Sequence, residues 1–162
     1  SAASDVYKRQ PMDMLRDNLA HAAAFSIAGI VLLAVGFLAL DLVTPGRLRQ
    51  LVWLDHNRNA TILAASMVIG LSFVLVCSVI DTAGLVLWRA VLYTAIYAVL
   101  TIAVMMWSFV FIDWLTPGKL GTLLLDDAES GRHSADDAHP AGWISAAVFV
   151  GVGAIIGVTL IV

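Results

Sequence analysis

The chain has 162 residues, 60% of them hydrophobic and 13% charged, with a formal net charge of −3 and a mean hydropathy of +0.92. Soluble domains carry about 25% charged residues, so a water-soluble enzyme and a disulfide-framed secreted domain are both excluded. The nine Lys and Arg are scattered and outnumbered by twelve Asp and Glu, which leaves no basic field for nucleic acid. The lipid bilayer is the one partner that composition demands.

Residues 1–18 form a polar N-terminal segment. Its first eleven residues precede the first methionine, Met12, and show no hydrophobic periodicity; they are expected to stand outside the fold as foreign sequence. Four uncharged runs follow, Leu19 to Leu40, Ala60 to Ile80, Ala90 to Ile112 and Ala141 to Val162. At about 1.5 Å per residue each is long enough to cross a hydrocarbon core of about 30 Å. The first run is too long for a signal-peptide core and is followed by Asp41, so it is read as a retained span. Continuous apolar runs of this length predict helices rather than barrel strands. Cys77, the single cysteine, lies deep in the second run and is read as a small apolar packing residue.

Two connections share a pattern. Residues 37–51 read FLALDLVTPGRLRQL and residues 109–123 read FVFIDWLTPGKLGTL, with seven identities at a shift of 72. The spans that follow, TILAASMVIG (61–70) and WISAAVFVGV (143–152), align at a shift of 82, so the second connection carries ten extra residues. The predicted fold is therefore an all-α membrane protein of four transmembrane helices, arranged as two parallel two-helix repeats over 19–80 and 90–162, with a short connection at 81–89. A two-span unit returns the chain to its starting side, so the repeats would be related by an axis along the membrane normal. The two long connections carry Arg47, Arg49, Arg58, Lys119 and Arg132 against Arg16 and Arg89 on the other side, which favours cytoplasmic TPG connections and external termini.

Each motif sits where a span leaves the membrane. Thr44 and Thr116 are predicted N-caps, with Pro45 and Pro117 at the first helical position and Gly46 and Gly118 next. The segments RLRQLVWL and KLGTLLL are predicted to lie in the interface, with Arg47 and Lys119 toward headgroups. Asp41 and Asp113 fall in the last turn of a span, where a carboxylate opposes the helix dipole and needs a partner. The local reading is an Asx-type bond near Thr44 or Thr116, or a pairing with Arg47 or Lys119. The functional reading brings both aspartates together as a cation or proton site.

Other chemistry is thin. His133 and His139 around Asp136 and Asp137 read as a solvated acidic loop rather than a metal site, and His21 and His56 as interfacial. With no nucleophile, base and oxyanion constellation in the sequence, no enzyme activity, cofactor or metal is expected. Packing signals are clearer: Ser66 and Gly70 in the second span, and Gly151, Gly153 and Gly157 in the fourth, are predicted to let helices approach closely, as bundle centre or self-association face.

On the F-x-x-x-D-x-x-T-P-G motif, its second copy and the Asn59-Ala60 pair opening the second span, residues 19–162 resemble the YjfL-like (UPF0719-like) bacterial inner-membrane proteins, the domain of unknown function 350. The second half departs from the pattern, with Ala141-Gly142 in place of Asn-Ala. The resemblance implies a four-helix inner-membrane protein without established activity, associated with phage-shock-type membrane stress. The favoured expectation is an oligomeric structural or envelope-stress component that presents its cytoplasmic loops to a partner. The alternative is a small oligomeric cation or proton channel using Asp41 and Asp113.

Overall fold

The computed structural model describes residues 2–44, 48–115 and 140–162, with side chains from Met12 onward. All regular structure among these residues is helical: α1 (Ala2–Val43), α2 (Leu48–Trp53), α3 (Arg58–Asp81), α4 (Leu87–Leu115) and α5 (Pro140–Ile161). Four are long and apolar enough to cross a membrane, α1 from Met12 together with α3, α4 and α5. They contain the first three predicted spans and all but the last residue of the fourth, and extend past most of their charged ends, because a charge ends the hydrocarbon segment without ending the helix. The polar residues ahead of Leu19 are helical from Ala2 as part of α1.

Local chemistry sets the turns. Asn57 caps α3, its side-chain oxygen accepting from the Ala60 N–H at 3.0 Å. At the other end Thr82 donates its hydroxyl to the Ser78 carbonyl at 2.7 Å, and Gly84 takes a φ of +94° that L side chains avoid. This tight turn leaves α3 and α4 antiparallel neighbours, joined by a Ser78 to Thr94 hydroxyl bond of 2.8 Å.

Helix α3 packs against every other element, most extensively against α5; α1 and α5 each pack on both α3 and α4. The centre is filled by Leu40, Leu63, Met67, Leu71, Met105, Phe109 and Phe149, all essentially inaccessible. Phe109 and Phe149 meet with ring centroids 6.2 Å apart. All five tryptophans point outward, as expected of residues that mark the membrane interfaces.

Lipid tails are as apolar as leucine, so helices associate here through close packing. The closest approach is between α3 and α5. A Cβ added at Gly70 would stand 2.6 Å from the Phe149 carbonyl oxygen, and one added at Gly153 would strike the Gly70 backbone itself. Gly142 faces Asn59, and Gly157 faces Phe73 and Cys77; residue numbers rise together along both helices, so α3 and α5 run in the same direction. Gly36 does the equivalent for α1, where a Cβ would lie 3.0 Å from Leu71 and Met67.

The buried stripe of α5 is Gly142, Ser145, Ala146, Phe149, Gly153 and Gly157. Gly151 lies off it, with nothing within 4 Å of an added Cβ, so it takes no part in the packing of α5 against the other described helices. The 3.6-residue period turns position 151 away from the face that carries 149 and 153. Replacing Gly153 by Ala should lower stability by about 1–3 kcal/mol through overpacking, whereas Gly151→Ala should leave it unchanged; thermal unfolding in one detergent, read by circular dichroism, compares the two directly.

Candidate functional site

The described polar residues of interest gather where α1 ends and α2 and α3 begin. Asp41 is half-buried in the last turn of α1, where it opposes the helix dipole. Its Oδ1 accepts a bond of 3.2 Å from the backbone N–H of Arg49, the second residue of α2. The carboxylate thus meets an N–H that has no partner within its own helix, and the bond ties α2 against α1. This differs from an Asx-type bond near Thr44, because α2 starts within reach of the last turn of α1; the pairing with Arg47 lies outside the described residues. Leu48, fully buried, fixes the same end of α2 through the core.

Thr44 closes α1. Its hydroxyl donates to the Leu40 carbonyl at 2.9 Å, its backbone N–H bonds the same carbonyl at 3.0 Å, and the described part of α2 runs from Leu48. A threonine hydroxyl readily takes the carbonyl at position i−4 as its acceptor; the predicted helix start at Pro45 lies outside the described residues. Pro45, Gly46, Thr116, Pro117 and Gly118 lie outside the described residues, as do Arg47, Lys119, Arg132, His133, Asp136, Asp137 and His139.

A cleft of about 490 Å³ opens beside Asp41, lined by Asp41, Arg49, Gln50, Trp53 and Leu54. Asp113 is half-buried in the last turn of α4 and is not among the described residues that line this cleft, so the cleft does not join the two carboxylates. A second cleft, of about 660 Å³, lies at the other end of the bundle between α1 and the α3–α4 turn, with His21, Asn18 and Thr82 on its walls. His21 donates Nδ1–H to the Asp17 carbonyl at 2.8 Å. Among the described residues no three His, Cys, Asp or Glu side chains converge as a metal site.

Sequence reasoning missed two polar features. The Ser78–Thr94 bond crosses between helices, and its signal was a hydroxyl on each side of a short connection. Asn59 is only 2% exposed, and its Oδ1 would lie 3.0 Å from a Cβ at position 142. Gly142, which has no Cβ, therefore leaves room for the Asn59 side chain. Facing positions across α3 and α5 accommodate one amide, not two.

The family model described as Domain of Unknown Function (DUF350) matches residues 14–160. The chain belongs to the DUF350 family. A UPF0719 transmembrane protein of Mycolicibacterium paratuberculosis is 33% identical over 91 residues, covering 56% of this chain and 60% of that relative's length. UPF0719 transmembrane proteins of Mycobacterium bovis and Mycobacterium tuberculosis are each 27% identical over 136 residues, covering 84% of this chain and 83% of theirs. No solved structure matches. The DUF350 match spans α1 from Met14 through almost all of α5, so Asp41, Asn59, Asp113 and the α3–α5 contact all fall inside it.

If Asp41 tethers α2, Asp41→Ala should speed hydrogen exchange at the Arg49 amide by roughly tenfold, the loss of about 1.4 kcal/mol. Asp41→Asn retains an acceptor oxygen and should exchange like the wild type. Amide exchange resolved to α2 by mass spectrometry distinguishes them.

Proposed function

We propose that the chain is a non-enzymatic structural component of the bacterial inner membrane, which holds copies of itself and a soluble membrane-stress partner at its TPG face. The carrying observation is the filled axis of the bundle. Leu63, Met67, Leu71, Met105, Phe109 and Phe149 are buried to 1% exposure or less, and densely packed apolar side chains offer an ion neither hydration nor counter-charge. The Asp41 carboxylate already has a structural task in positioning α2, which weighs against the alternative of a single-chain permeation site.

In this reading residues 19–80 and 90–162 are two parallel two-helix repeats. Its support is that α3 and α5 run in the same direction, with facing residues 59 and 142, and 70 and 153, each 83 positions apart, one from the shift of 82 between the span sequences. Self-association uses a surface other than Gly70, Gly153 and Gly157, since those glycines are occupied within the chain. The TPG face, with Arg49 and Arg58, is the cytoplasmic one by the distribution of basic residues.

Two measurements on the same preparation test the proposal. Liposomes containing the protein should show potassium and proton flux equal to protein-free liposomes, and mild-detergent extraction from native membranes should bring down a stoichiometric soluble protein. Flux that depends on Asp41 and Asp113, without such a partner, would reverse the assignment in favour of a channel.

A further inference from the structure

We infer that the cleft between Asp41 and α2 is a binding site for the headgroup of a phospholipid that carries a primary ammonium, the phosphatidylethanolamine class. The inference does not depend on the structural role proposed above; it rests on three features of the cleft.

The first is opposite charge held apart in one cavity. Asp41 and Arg49 line the same cleft, yet no ion pair within 4 Å joins the two side chains. The guanidinium of Arg49 is thus not neutralised by the carboxylate beside which its own backbone N–H is anchored. A zwitterion with ammonium and phosphate joined by two carbons matches such a pair: the carboxylate accepts from the ammonium, and the planar guanidinium takes phosphate oxygens two at a time.

The second is spare acceptor capacity. A carboxylate has about four lone-pair sites, and among the described residues Asp41 uses one of them, at Oδ1. Its half-buried setting limits hydration of the remainder and favours a ligand that brings N–H donors. The third is depth. Trp53 and Leu54 on the same cleft are 70% and 71% exposed, on a short helix just beyond the end of a span. A tryptophan and a leucine held outward at that level belong in the zone where acyl chains meet headgroups. They select a lipid over a water-soluble zwitterion, because acyl chains extend the contact along an apolar rim. The volume of about 490 Å³ lies within the usual range of about 300–1,000 Å³ for small-molecule sites.

This chemistry sets an order of preference. Phosphatidylcholine offers the same phosphate, but its quaternary ammonium has no N–H to donate. Phosphatidylglycerol has no cation at all and places its negative charge near Asp41. The test uses the full chain, delipidated in mild detergent and exposed to an equimolar mixture of the three lipids with identical acyl chains, with bound lipid counted by native mass spectrometry. Wild type should retain phosphatidylethanolamine over phosphatidylcholine by roughly three- to tenfold, the size of one charge-assisted bond. Asp41→Asn, which keeps the acceptor for Arg49 and hence the position of α2, should bring that ratio to one. Arg49→Gln should reduce retention of both lipids while preserving their ratio. Equal retention by wild type, or an unchanged ratio in Asp41→Asn, would overturn the site; displacement of the lipid by an equal concentration of soluble phosphoethanolamine would overturn its assignment to a lipid.

Discussion

A helix leaving lipid for another helix gains little from the hydrophobic effect, since leucine is equally well solvated on both sides. What remains is dispersion across surfaces that fit, and its yield depends on how closely two backbones approach. The rest of this structure depends on that constraint at one place, where α3 and α5 meet with Gly70 against Gly153 and no room for a Cβ on either. The contact aligns the two helices in the same direction, brings Gly142 under Asn59 and Gly157 under Phe73, and leaves Phe149 to close the centre against Phe109. Helices α1 and α4 then pack on this pair, with α1 admitted through Gly36.

The spans were legible in the sequence because the bilayer imposes a length that charge and hydropathy report directly. Packing was legible in part. Gly153 and Gly157 stand four apart and share a face with Phe149, Ala146 and Gly142, but Gly151 belongs to the neighbouring face and only geometry separates them. Small residues in a span identify where a backbone can come close; which of them do so depends on the rotation of the helix, and an apolar span surrounded by lipid has too little amphipathic contrast to reveal it.

The motif at the membrane edge was legible as a feature, and its chemistry only in part. Thr44 turns its hydroxyl back to the Leu40 carbonyl and closes α1, a task that the Thr-Pro-Gly pattern does not announce. Asp41 needed a partner, and it found one in the backbone of Arg49, eight residues away, where local sequence rules stop short. The Asn59 and Gly142 pair teaches the converse: a glycine with no visible reason along the sequence makes room for a buried amide that faces it across α3 and α5.

The direct measure of this account is whether Gly70 and Gly153 act as one contact. A double-mutant cycle of Gly70→Ala and Gly153→Ala, with unfolding free energies measured in the same bilayer-mimetic conditions, isolates their coupling. Once either alanine has forced the backbones apart, the second has little left to disturb, so the double variant should lose much less stability than the two single losses added together. Strict additivity would mean that the two glycines sit in separate environments, and the α3–α5 contact would not be the element that organises the bundle.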